Sequence, residues 1–193
     1  MRGKIISTRL CCSGATAWRN PESVAMRKKM ISAVLLALAV AACGGCDFTV
    51  PLTTAPALPM DQSLAGLWQS AQAGGPADEL LVLPLGPLEM LVAYPAGKKD
   101  AMFARACLWR GAELTLVQLQ WLGTARGVLP QDPRVFQFAS CQLEDGCLRV
   151  RLLNAEILPK DAQTAGELTR AIAKLRDDKN LFRPALEFRR IKN

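Results

Sequence analysis

The sequence predicts a mainly β protein: an antiparallel up-and-down meander of about eight strands closed into a barrel, with one helix before the last strand. Three observations lead there. From Leu64 onward, apolar and polar residues alternate with period two in short runs, the pattern of half-buried strands. Hairpin-length gaps containing Gly, Pro and Asp separate the runs, as neighbouring antiparallel strands require. One segment, 164–180, switches to helical spacing. Closure is the expected arrangement because it removes the exposed edges that would otherwise pair with other chains.

The expected strands run in order along the chain. Leu64–Gln69 is the first, and Asp78–Leu85 follows, stopped by Pro84 and Gly86-Pro87. Glu89–Tyr94 ends at Pro95-Ala96-Gly97. Ala101–Trp109 places Phe103, Arg105, Cys107 and Trp109 on one face and Ala104, Ala106 and Leu108 on the other. Glu113–Leu122 divides Thr115, Val117, Leu119 and Trp121 from Leu114, Leu116, Gln118 and Gln120. Val135–Leu143 and Cys147–Leu153 flank Asp145-Gly146, a strong two-residue hairpin signal. Leu186–Lys192 closes the chain. Before it, Thr164 and Glu167 form a capping-box pattern, with Glu167 expected to reach back to the Thr164 amide. Leu168, Ile172 and Leu175 then share one face of a helix of about four turns, with Asn180 as its stop. Its expected role is a lid or plug on the sheet. A membrane-lying helix is the weaker reading, because Asp177 and Asp178 interrupt the basic residues of its polar face.

Composition excludes several kinds of chemistry. There is no histidine, which removes Ser-His-Asp and Cys-His catalysis and His-based zinc sites. Phosphate-binding glycine loops are absent. The acidic neighbours Asp78/Glu79, Glu144/Asp145 and Asp177/Asp178 fall at turns or helix ends, where carboxylates are normally solvated. Neither enzymatic activity nor a cofactor or metal is expected. Of the formal charge of +7, all but one unit is carried by residues 1–42: residues 43–193 hold seventeen basic and sixteen acidic residues. That balance gives no basic surface for nucleic acid.

The N-terminal region reads as an export signal. Arg27-Lys28-Lys29 precedes thirteen uncharged residues, Met30 to Ala42, too short a run to span a bilayer as a helix. It ends in Val40-Ala41-Ala42-Cys43, which resembles the lipobox of bacterial lipoproteins. The resemblance implies that Cys43 receives diacylglycerol and becomes the mature N-terminus. Residues 26–42 are then the signal peptide, and Met26 reads as the true initiator, with 1–25 an over-extended start; a long basic region is the alternative. Cys43-Gly44-Gly45-Cys46 has redox or metal spacing, but Cys43 is committed to lipid in this reading. Residues 43–62, with Pro51, Pro56 and Pro59, read as a lipidated tether that lets a barrel domain, 63–193, stand off the membrane. Gly44 after the lipid-bearing cysteine resembles the sorting pattern for the outer membrane, which implies a domain facing the periplasm. In that oxidising compartment Cys141 and Cys147 are candidates for a disulfide across the hairpin, the alternatives being separate buried thiols or a bridge to Cys107.

Gly66-Leu67-Trp68 at the first strand resembles the Gly-x-Trp signature of lipocalins. The resemblance implies that Trp68 packs at a closed barrel end beneath a late basic side chain, Arg189 or Arg190. One departure is that the helix here precedes a strand counted within the eight. Cys46-Asp47-Phe48-Thr49-Val50-Pro51-Leu52 is also similar to the start of small Gram-negative envelope lipoproteins. An eight-stranded barrel is either filled by side chains or holds one small ligand. Both outcomes stay open here. A hollow barrel would bind a lipid or fatty-acyl ligand with Trp109, Trp121, Phe136 and Phe138 as candidate lining; a filled one would present its surface to an envelope protein.

Overall fold

Eight antiparallel strands, each paired with its sequence neighbours, close into a barrel when the last pairs with the first. The computed structural model describes residues 47–71 and 77–191. The signal peptide, the start and Cys43 lie outside them. The strands are β1 (Gly66–Ser70), β2 (Glu79–Pro84), β3 (Glu89–Tyr94), β4 (Met102–Gly111), β5 (Leu114–Thr124), β6 (Phe136–Glu144), β7 (Cys147–Leu152) and β8 (Leu186–Arg190). All eight expected strands form, and β8 belongs to the barrel: it pairs with β7 through Leu148↔Phe188 and with β1 through Trp68↔Arg190.

The connections divide between two ends. Those at one end are tight: 85–88, 112–113 and 145–146. Those at the other are longer: 95–101, 125–135 and 153–185, joined by the described parts of the β1–β2 connection. The β6–β7 hairpin has the expected Asp-Gly turn, with both residues at positive φ (51° and 73°).

Among the described residues, two hydrophobic cores share one wall. Inside the barrel, Trp68, Leu80, Val82, Met90, Ala106, Val117, Leu148 and Phe188 pack together. Outside it, Leu116 and Phe138 of β5 and β6 pack under Phe48, Leu52, Leu158, Leu168, Ile172 and Leu181. β5 is therefore buried on both faces, and this explains its apolar residues at both odd and even positions.

The helix, α1 (Ala165–Lys174), covers that outer wall with Leu168 and Ile172, both fully buried. Thr164 Oγ1 accepts from the Glu167 N–H at 3.2 Å, as expected of an N-cap. The reciprocal bond differs: Glu167 Oε2 accepts from the Gln163 N–H, one residue earlier, at 2.9 Å. The helix is also shorter than expected, ten residues. Leu175 N–H turns tightly onto the Ile172 carbonyl at 3.1 Å, and Asp177 and Asp178 would oppose the dipole of a longer helix. Asn180 lies in the turn beyond, its N–H held by Asp178 Oδ1.

The largest departure concerns the tether. Residues 47–60 form a strap packed along the outer wall. Phe48 bridges to Phe136, Leu58 bridges to Leu108, and the Met60 N–H donates to the Pro87 carbonyl at 2.9 Å. The strap thus runs from the long-loop end to the tight-turn end. Gln118 of β5 pins its middle: its Oε1 accepts from Leu52 and Thr53 N–H (2.7 and 3.1 Å), and its Nε2 donates to the Thr53 carbonyl at 2.8 Å. Proline-rich composition suggested a spacer, but here the prolines interrupt a segment whose Phe48, Leu52 and Met60 are buried.

Phe48→Ala should therefore cost about 3–5 kcal/mol in urea unfolding. A free tether would lose nothing measurable. Gln118→Leu leaves two strap N–H groups and a carbonyl without their partner and should cost about 2 kcal/mol by the same measurement.

Candidate apolar ligand site

Register decides which residues reach the barrel interior. Val82↔Val92↔Ala104 and Ala106↔Leu119 align across β2 to β5. Val117↔Ala139, Cys141↔Val150 and Val150↔Leu186 continue the same face to β8. The inner face is thus largely apolar around the circumference, with Ala104, Ala106 and Ala139 as its small members. Val92, Leu119, Trp121, Val150 and Leu186 point inward yet are only half-buried. Solvent reaches apolar side chains inside the barrel.

Of the four residues expected to line a ligand, only Trp121 faces inward, opposite Ala104. Trp109, Phe136 and Phe138 belong to the outer core. Phe138 packs on Phe48 with ring centroids 5.1 Å apart, and a Cβ on Gly111 would run into the Trp109 indole. The reason is the pairing of β6 with β5, which puts Gln137 and Ala139 on the inner face and their aromatic neighbours outside. Alternation marks two faces but not which is inner, and here both are apolar. Gln137 went unrecognised at the sequence level. It is buried on the inner face directly opposite Leu119, a polar group in an aliphatic wall. No sequence signal separates it from the other glutamines.

One end is closed. Trp68 is fully buried, its Nε1 donates to the Leu64 carbonyl at 3.0 Å, and the Arg190 guanidinium lies 4.5 Å above its ring. Arg190 also donates to the Ala65 carbonyl at 3.0 Å and to the Ser63 carbonyl. It thereby ties the short 3-10 turn Gln62–Leu64 across the barrel floor. Gly66 has φ +143°, and a Cβ there would sit 3.2 Å from Arg190 Nη1. The positive φ favours glycine there, and a side chain would in addition press on the stacked guanidinium. Arg190, not Arg189, is the stacking partner; Arg189 has opposite parity and is exposed on the outer face.

The candidate disulfide does not form. The two-residue turn sets Glu144 opposite Cys147 and Val150 opposite Cys141, so the thiols lie on opposite faces of the hairpin. Cys107, Cys141 and Cys147 are free. Burial pushes the Cys141 thiol up to about 12, and it also raises Cys107, which lies under the strap. The acidic neighbours sit at the surface: Asp78 pairs with Lys98, Asp177 with Arg176, and Glu144 with Arg149.

Arg190→Ala should destabilise the fold by about 1–2 kcal/mol, whereas Arg189→Ala should stay within about 0.5 kcal/mol, in thermal or urea unfolding. In the native protein a maleimide should modify Cys147, on the outer face, much faster than Cys141, which packs against the inner core and whose thiol burial keeps protonated; unfolding should remove the difference.

Compared with models of protein families and with curated proteins, the chain matches none.

Proposed function

We propose that this is a non-enzymatic lipoprotein of the cell envelope, anchored through acylated Cys43, whose barrel holds one lipid or fatty-acyl ligand. The observation that carries the reading is the inner face itself: mostly apolar, with Gln137 as a polar member, floored by Trp68 and Arg190, yet half-buried at Val92, Leu119, Trp121, Val150 and Leu186. A folded chain gains by filling an apolar space with its own side chains. Here four large aromatics, Phe48, Phe136, Phe138 and Trp109, go to the outer core, while Ala104, Ala106 and Ala139 stand on the inner face with Trp68, Trp121 and Phe188. An acyl chain fits such a surface, and Gln137 supplies a hydrogen-bonding group to orient it. The signal-like N-terminus and Cys43 support the anchoring, and outer-membrane placement with the domain in the periplasm follows from Gly44.

Native mass spectrometry of the purified protein tests the ligand. Wild type should carry an adduct of lipid or fatty-acid mass, and Ala104→Leu with Ala139→Leu should remove it by filling the lumen. A clean wild-type mass, with cross-linking in cells capturing an envelope protein instead, would favour the filled-core interaction protein. Metabolic labelling with palmitate tests the anchor separately: Cys43→Ser should abolish it.

A further inference from the structure

The first packed residues leave the chain little slack. Phe48 exchanges both backbone hydrogen bonds with Phe136, each 3.1 Å. Arg183 reaches Asp47 at 3.4 Å, and Phe48 is buried. The chain is therefore clamped from Asp47 onward, at the first residue of β6. Cys43 lies four residues earlier, and four extended residues span at most about 14 Å. A domain moored through Cys43 has its long-loop end held within that distance of the bilayer.

The same end presents apolar side chains to solvent. The β5–β6 connection leads directly into Phe136. Leu122, Val128 and Leu129, at its start and tip, are 42%, 55% and 65% exposed. Hydrogen bonds fix this tip. Thr124 N–H donates to the Val128 carbonyl and Gly127 N–H to the Thr124 carbonyl, both at 2.9 Å. Ala125 N–H donates to the Ala101 carbonyl of the neighbouring connection at 2.8 Å. Val128 and Leu129 are thus held outward by a structured turn. Arg126 adjoins them, and a long basic side chain at such a position suits a headgroup layer. The other exposed leucines, Leu83 and Leu85, lie toward the tight-turn end. The eleven-residue β5 places roughly 36 Å of strand between the two ends, beyond the anchor's reach.

We infer that the Val128–Leu129 tip inserts into the interfacial layer of the bilayer that carries the Cys43 acyl chains, seating the barrel with its long-loop end on the membrane. This rests on the acylation proposed above. The occupant of the patch is the bilayer because the chain's reach brings no other apolar phase to that end. Seated this way, the half-open end of the lumen adjoins the acyl chains it is proposed to bind.

The test uses the full acylated protein carrying Leu129→Trp, reconstituted into phosphatidylcholine vesicles with or without brominated acyl chains. Val128→Trp serves as a second near-end reporter and Leu85→Trp as the far-end one. Intact mass is read first. Protein lacking acyl mass overturns the anchor and the seat together. With acylated protein, brominated lipid should quench the introduced indole of both near-end variants strongly above the native tryptophan background. The introduced indole of the far-end variant should be unaffected. Acylated protein whose near-end indoles stay unquenched, or are quenched no more than the far-end one, overturns the seat alone and leaves the anchor standing.

Discussion

The primary amide of Gln118 acts as a strand neighbour in miniature. It accepts from two successive backbone N–H groups of the strap and donates to one of its carbonyls. A segment broken by prolines cannot offer a continuous ladder to a sheet. One side chain therefore supplies the pairing that the strap's own backbone cannot find. With the strap held there, Phe48 and Leu52 close over Leu116 and Phe138, and α1 has an apolar surface to rest on. Without that surface, the outer faces of β5 and β6 would expose leucine and phenylalanine to water.

Sharing one wall between two cores changes what the barrel interior must do. In a barrel with a single core, the inward side chains carry the burial. Here the outer core takes Phe48, Phe136, Phe138 and Trp109, and the inner face keeps alanine at Ala104, Ala106 and Ala139 beside Trp68 and Phe188. The tight-turn end still needs a cover, since apolar side chains of the inner core would otherwise meet water there. Trp68 provides it. The guanidinium above its ring satisfies two carbonyls of the 3-10 turn while shielding the indole. The strap ends at that same floor, where Met60 joins the inner core. One continuous segment, 47–68, thus covers the wall and seals the base.

Surface charge plays a smaller part. The pairs Arg105–Glu89, Arg149–Glu187 and Arg176–Glu113 are exposed, and each contributes little in water. Arg183–Asp47 is more enclosed and sits where the strap begins, so it helps set the direction from which the chain arrives.

Much was legible in the residues alone. Period-two runs, the Asp145-Gly146 turn and the Thr164 cap carry local rules that act over a few residues, so strand number, strand order and the presence of one helix could be read directly. The pairing of Trp68 with a late arginine was also legible as a resemblance, although parity was needed to choose Arg190. Inside and outside were not legible. Phe138 and Ala139 alternate identically whichever face is turned inward, and only the register Val117↔Ala139 decides it. The same holds for Cys141 and Cys147, separated by one step of parity. Nor was the strap legible, because composition reports local stiffness, whereas its burial depends on Gln118 and Phe136, which lie more than 60 residues away in sequence. Residue pattern alone is enough for a meander of alternating strands, because hairpin pairing and side-chain alternation are local. Closure of the barrel, the face that turns inward, the separation of Cys141 from Cys147 and the path of the N-terminal strap come only from the folded chain, because they depend on register between distant segments.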